Sequence, residues 1–306
     1  MMQVQIPIGR ETQELVLPSG QVAGVCMPGV MTVAPDPVSL VERALQASLE
    51  ATGIAQNAAR GKTDACIVVT DRTRSTTLPL SVPSLLDCLN SLGVPDSRIT
   101  VISGGGMHAA DTRADLEITL GPEVLARVAT AVDEPDNDGA MVRLGTTSYG
   151  TPVEVLRIFV EAGIKIGVTN VNSCMLAGWS GGGKIVLPGV TSRRTIYENH
   201  KRFTAILAEL RRASLMGVMP PQNAVRADIE EAAAIAGIDL VVNTVQDPQR
   251  RLVDLYCGDQ IAAQRDAGAR MAPHVEVSLA QPVDVLVSAV GDPALEVSLF
   301  QGGSRV

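Results

Sequence analysis

Aromatic residues are scarce in this chain: three Phe, three Tyr and one Trp make up 2% of 306 residues. The core must therefore be built from Val, Leu, Ile, Ala and Met, and base stacking on single-stranded nucleic acid has almost no side chains to use. There is no long basic run, and the net charge is −8. That argues against a phosphate backbone or an anionic membrane as partner; an anionic ligand has to be met by local cations. No apolar run reaches the ~18 residues that span a bilayer. The N-terminus is polar and broken by Pro7 and Pro18, unlike a signal peptide. Cys26, Cys66, Cys88, Cys174 and Cys257 are odd in number and widely spaced, with no C-x-x-C pair. Neither a disulfide framework nor a zinc site is expected, and a reducing, cytoplasmic compartment is.

What is present suits an ordinary globular chain. Hydrophobic residues are 46% and charged residues 19%, enough for a proper core in two domains or one large α/β domain. After some short β-like pieces, the pattern predicts a helix at 38–51, a strand at 66–70, a helix at 83–92 and a strand at 98–103. Helices at 114–130 and 152–163, a strand at 165–170 and a long helix at 193–212 follow. A helix at 224–237 closes on Gly237; then come a strand at 238–245, a helix at 260–270 and a strand at 283–290. Alternating strands and helices imply a Rossmann-like α/β fold, a parallel sheet with flanking helices. Ligands in such sheets sit at the carboxyl ends of the strands.

The residues of interest fall at those ends. Residues 180–200 read SGGGKIVLPGVTSRRTIYENH. Gly181, Gly182 and Gly183 allow positive φ and close approach of backbone to a ligand. Lys184, just after them, is both an anion partner and a potential nucleophile. His200 closes the segment with an imidazole, the commonest protein ligand for transition metals; the chain has only three histidines. Gly178 to Lys184 spells G-x-x-x-x-G-K, most of a phosphate-binding loop, but Ile185 stands where Ser or Thr would hold magnesium. Asp71, Arg72, Thr73 and Arg74 follow the first strong strand; the two arginines could grip a carboxylate or phosphate, or form a surface ion-pair turn. Gly104 to Gly106 lead to His108, a candidate acid/base or the exposed end of a tight turn. Cys174 is either a small buried hydrophobe or a reactive thiol and soft metal ligand. His274 reads as structural or exposed, and the acidic stretch 133–139 as a solvated loop.

Together these motifs resemble the lactate racemase family, whose members use a nickel-pincer nucleotide. The run TDRTRST resembles its Asp-x-Thr-Arg loop, GGGMH its glycine turn with a catalytic histidine, and AGWSGGGKIVLPGVTSRRTIYENH its cofactor-attachment segment. Weaker agreement continues through Asn223, Asn243 and CGDQIAA at 257–263. The resemblance implies a 2-hydroxyacid racemase or epimerase working by hydride transfer to and from that cofactor, tethered to Lys184 through a thioamide. His200 would be the nickel ligand and His108 the general base. Arg74 would hold the substrate carboxylate, with Gln301 also at the substrate. Asp71, Thr73 and the three glycines would seat cofactor or substrate. A small 2-hydroxy acid and the cofactor-synthesis enzymes are the implied partners, and a homo-oligomer is left open. Two positions depart from the family. Cys174 stands where it has a second histidine, and could serve as the other acid/base or mark a changed or lost activity. At the C-terminus, Phe300-Gln301 resembles an aromatic-Gln pair, but Ser304 replaces the lysine that follows. Residues 1–270 are thus expected to form the cofactor-binding domain, and 271–306 a linker and the start of a second, incomplete α/β domain. A non-catalytic module, or half of a split enzyme, is the alternative.

Overall fold

The computed structural model describes residues 1–8, 11–74, 77–212, 214–277, 279 and 281–288. It divides into two compact units, residues 31–271, and residues 1–30 with 272–306. In the smaller unit β1 (Met2–Ile8) and β2 (Glu11–Leu17) pair antiparallel, and the Gly29 N–H donates to the His274 carbonyl at 2.6 Å.

The larger unit runs α1 (Pro37–Ala51), α2 (Ile54–Ala59), β3 (Ala65–Thr70), α3 (Leu78–Ser91), β4 (Ile99–Gly104), α4 (Arg113–Arg127), β5 (Ala129–Val132), β6 (Met141–Thr146), β7 (Pro152–Leu156) and α5 (Arg157–Glu161). It continues with β8 (Ile164–Asn170), β9 (Ser173–Cys174), β10 (Gly178–Trp179), α6 (Arg193–His200), α7 (Phe203–Leu210), α8 (Ala224–Ala236), β11 (Leu240–Gln246), β12 (Leu252–Gly258) and, up to residue 271, α9 (Ala262–Val275). Six strands form the central sheet in the order β12-β11-β8-β3-β4-β5. All neighbours are parallel except β12, which runs antiparallel to β11. The chain starts at β3, steps outward through β4 to β5, then returns to β8 on the other side and steps outward again. The direction of winding reverses between β3 and β8, so a crevice opens at their carboxyl ends.

Period-2 alternation explains how both faces are covered. Ile67 and Val69 of β3 join one core cluster with Val41, Leu45, Leu85 and Leu120 of α1, α3 and α4. Cys66 and Val68 join the opposite cluster with Ile185, Leu187, Ile196 and Ile229. Burial pushes the Cys66 thiol up to about 12, making it an inert apolar filler. α8 ends as its sequence predicts, with Gly237 left-handed at φ 76.

Several elements depart from the sequence pattern. The segment 152–163 is a strand followed by a five-residue helix, α5. Val153 and Val155 are β-branched and wholly buried against β6 and α6, and tertiary packing overrides the helical spacing. The stretch 193–212 is two helices, α6 and α7, interrupted at Lys201–Arg202. α4 is kinked at Gly121 (φ 83) and stops at Arg127, releasing the edge strand β5. Residues 283–288 carry no strand, and 289–290 lie outside the described residues. β12 has no counterpart in the sequence reading.

Candidate functional site

The loop after β8 is built from the outside in. β9 and β10 form a small hairpin with Cys174 opposite Gly178. The chain then turns through Gly181 (φ 80) and Gly182 (φ 59) into a 3-10 turn, Gly182–Ile185. A Cβ on Gly182 would lie 2.4 Å from the Gln260 carbonyl oxygen and 2.7 Å from Arg226 Nη2. One on Gly183 would lie 2.5 Å from Gln260 Oε1, and one on Gly181 would lie 2.6 Å from Asn243 Oδ1. Those faces of the three glycines are thus occupied by protein, and packing alone demands them. The Gly182 N–H donates to Asn243 Oδ1 at 2.9 Å. Arg226, itself fully buried, donates to the carbonyls of Trp179 (3.3 Å) and Gly181 (3.1 Å). Gly182→Ala is expected to destabilise the chain by about 3 kcal/mol, from left-handed strain plus overpacking; urea unfolding checks it. The next α-helix begins only at Arg193, so Lys184 does not open a helix as a phosphate-loop lysine does.

Lys184 and Cys174 lie close enough for each to shift the other's pKa. Burial holds the Lys184 amine below its ordinary value against the pull of the thiol, and the charges of Arg74 and Arg226 push the same way as burial. Burial opposes ionisation of Cys174. The Lys184 charge, the N–H groups of Ala177 and Leu176, and Arg74 outweigh it and hold the thiol below its ordinary value. His200 is pushed down to about 4, chiefly by burial and also by the Lys184 charge, against a hydrogen bond to the Ile196 carbonyl. Lys184, Cys174, Arg74 and His200 therefore share one electrostatic neighbourhood, and the imidazole is neutral at pH 7.

The β3 and β4 ends carry the second half of the site. His108 Nδ1 lies 2.6 Å from Asp71 Oδ2 and 3.2 Å from Thr73 Oγ1, and the Thr73 hydroxyl donates to Asp71 Oδ1 at 2.7 Å. Burial raises the Asp71 pKa, but hydrogen bonds from His108 and Thr73 and the charges of His108 and Arg74 bring it below the usual carboxylate value. Asp71 and Thr73 are thus engaged in orienting the imidazole. The glycine turn lies directly on the Lys184 segment. A Cβ on Gly104 would be 3.0 Å from the Gly189 carbonyl oxygen, and one on Gly106 would be 3.0 Å from Pro188 Cβ. The two arginines separate: Arg72 is tied to Asp111 (3.1 Å) and Asp115 (3.2 Å), the bland ion-pair reading. The Arg74 side chain makes no hydrogen bond or ion pair among the described residues, leaving its guanidinium for an anion. Gln301, with Phe300 and Ser304, lies outside the described residues.

Several residues that matter here are silent in the sequence. Asp133 opens the stretch read as solvated, yet it is only 6% exposed and accepts the Gly105 N–H at 3.0 Å. Burial pushes its carboxyl up to about 6, against the N–H groups of Gly105 and Gly106. Asp111 accepts from Ser103 Oγ at 2.7 Å beneath the same turn. A charged residue at a strand end was the available signal for Asp133; nothing local distinguishes Asp111.

Asp133 and His200 carry opposite pH slopes. The folded chain holds a proton on Asp133 that the unfolded chain loses near 4, so stability from this group falls as pH rises from about 4 to 6. His200 is uncharged in the folded chain while its unfolded form charges below about 6.5, so its contribution rises with pH over about 4 to 6.5. Each amounts to about 3 kcal/mol, and they oppose each other in the native chain. Asp133→Asn is expected to leave stability rising from pH 4.5 to 6.5, and His200→Gln to leave it falling; urea midpoints at the two pH values read the sign.

Residues 8–214 match the model of the lactate racemase N-terminal domain. The chain belongs to the lactate racemase family. It is 28% identical over 243 residues to the lactate racemase of Lactiplantibacillus plantarum, covering 79% of this chain and 56% of that one. It is 24% identical over 304 residues to the lactate racemase of Thermoanaerobacterium thermosaccharolyticum, covering 98% of this chain and 69% of that one. The chain thus spans only part of the length of these lactate racemases. The lactate racemase apoprotein from T. thermosaccharolyticum superposes with a TM-score of 0.83 at 22% identity, over 98% of this chain and 69% of that one. A Thermotoga maritima protein superposes with a TM-score of 0.63 at 21% identity, over 79% and 61%. These structures carry the fold. Among the described residues no three His, Cys, Asp or Glu side chains gather as a metal site, and no helix is long and apolar enough to cross a membrane.

Proposed function

We propose that the chain is the cofactor-bearing part of a racemase or epimerase of 2-hydroxy acids, with a nickel-pincer nucleotide on Lys184. The observation that carries the reading is the convergence of Lys184, Cys174, His200 and Arg74 beside the Asp71–His108 pair. The donor set fits that group. An amine with a depressed pKa is competent for acylation, and a neutral imidazole has a lone pair for nickel. A single protein imidazole suffices only if the metal arrives with its remaining donors already in place, which is what a pincer ligand provides. Lys184 would hold the nucleotide and His200 the metal. When bound, the group supplies a hydride acceptor and donor, chemistry that no side chain offers.

The chain's own residues do the rest. Arg74, unpaired among the described residues, grips the substrate carboxylate through its planar fork. His108, held at Nδ1 by Asp71 and Thr73, takes the hydroxyl proton of the substrate at its other ring nitrogen. Cys174, beside Lys184, is the second proton-transfer group. All of these residues belong to the unit of residues 31–271. The partners are a small 2-hydroxy acid and the enzymes that make the cofactor. The free thiols suit a cytoplasmic setting.

Intact-mass and peptide mass spectrometry of chain co-produced with cofactor-synthesis enzymes tests the reading. Lys184 carrying the nucleotide, with nickel bound, is expected; an unmodified Lys184 and no nickel removes it. Cys174 in place of the family's second histidine favours a second reading, a cofactor-binding module without racemisation. Chiral analysis of products from each enantiomer of a 2-hydroxy acid panel separates the two, and racemisation by the loaded chain disposes of the second.

A further inference from the structure

The carboxyl end of α6 places Asn199 directly before His200, and Asn199 is wholly buried. Its Nδ2 donates to the Val225 carbonyl at 3.1 Å and to Asp228 Oδ2 at 2.9 Å. Asp228, also wholly buried, accepts in addition from Thr147 Oγ1 (2.6 Å), Thr151 Oγ1 (2.6 Å) and Arg202 Nη1 (3.1 Å). Both of its oxygens are therefore acceptors. Turning the Asn199 amide around would set its oxygen against a carbonyl and a carboxylate, two acceptors with no proton between them, at the full cost of unsatisfied buried groups. The amide orientation is fixed by this network, and it leaves Asn199 Oδ1 facing His200 Nδ1 at 3.0 Å. A carbonyl oxygen only accepts.

We infer that Asn199 is a positioning residue: pinned by Asp228 and the Val225 carbonyl, it holds the His200 proton on Nδ1 and so leaves the lone pair on Nε2. A histidine ligand is set in this way, the hydrogen bond at one ring nitrogen deciding which atom is free to donate. The functional consequence rests on the reading of His200 as a metal ligand; the tautomer itself does not. The same network reaches past the end of α6. Arg202, just past the helix, is drawn to Asp228, to Thr151 Oγ1 at 2.9 Å and to the Tyr149 carbonyl.

The test uses the unloaded full chain labelled with ¹⁵N-histidine. Long-range ¹H–¹⁵N correlation at pH 7 reports the tautomer of each of its three histidines, and His200→Gln identifies the relevant signal. The wild-type spectrum is expected to show a protonated Nδ1 and an unprotonated Nε2 for residue 200. A proton on Nε2 overturns the inference. In Asn199→Ala the Nε2 resonance is expected to move toward the protonated range, because the acceptor opposite Nδ1 is gone. An unchanged Nδ1–H tautomer there overturns the role of Asn199 and assigns it to the Ile196 carbonyl. Should Asn199→Ala not fold, Asn199→Ser, whose oxygen stops short of the ring, is expected to give mixed tautomers, and a single Nδ1–H form overturns the role equally. Absence of nucleotide on Lys184 would remove the racemase reading and leave the tautomer result standing; Nε2–H in the wild type would do the reverse.

Discussion

Cys174→Ala is expected to abolish interconversion of enantiomers while Lys184 still takes up the cofactor. Racemisation needs proton transfer for a substrate presented in either hand. In the proposed reaction His108 would serve one arrangement through its Asp71-bound ring, and the Cys174 thiol the other. Loss of a general acid/base costs about 10² to 10⁴ in rate. The thiol is suited to the task because Lys184, two backbone N–H groups and Arg74 favour its ionised form despite burial. Removing it leaves the glycine loop untouched, since the contacts of Gly181 to Gly183 are with Asn243, Arg226 and Gln260. Chiral chromatography after incubation with each enantiomer, together with the intact mass of the variant, gives the result. An unchanged rate in a fully loaded Cys174→Ala protein would show that the thiol has no part in proton transfer. Cys174→His supplies the second histidine that the resemblance implies and is expected to retain or raise activity toward a simple substrate such as lactate.

The second large effect belongs to Arg226, which is fully buried. Its Nε bonds Glu230 at 2.6 Å, and its Nη1 holds two carbonyls of the loop before Lys184. Arg226→Met is expected to destabilise the chain by about 3–5 kcal/mol, the range for breaking a buried ion pair from one side. Arg265 remains 2.8 Å from Glu230, so the carboxylate keeps one partner and the lower end of that range applies. Urea unfolding measures the loss. Competitive acetylation of Lys184 across pH separates this from loss of packing alone. Arg226 is one of the charges that depress the Lys184 amine, so its pKa is expected to rise in Arg226→Met. An amine profile that does not move would confine Arg226 to stability.

Much of this site lies on loops whose chemistry was readable in one dimension. Lys184, His108 and Arg74 are single polar residues at strand ends or close to glycines, where the backbone leaves the sheet and side chains are free for ligands, and His200 is the last residue of α6. The central strands were equally legible, because β3, β8 and β11 are apolar runs buried on both faces. The sequence by itself therefore determined the class of fold and the family. Tertiary structure alone decided the rest. It made a strand of 152–156 and split 193–212, since burial against neighbours outweighs the small propensity differences between helix and strand. It showed that the three glycines answer to Gln260, Arg226 and Asn243, and that Arg72 is spent on Asp111 while Arg74 is not. It buried Asp133, Asp228 and Asn199, which look like ordinary surface residues in the sequence. A polar residue's role depends on which partners desolvate and hydrogen-bond it, and those partners lie tens of residues away along the chain: Asn199 and Asp228 are separated by 29 positions.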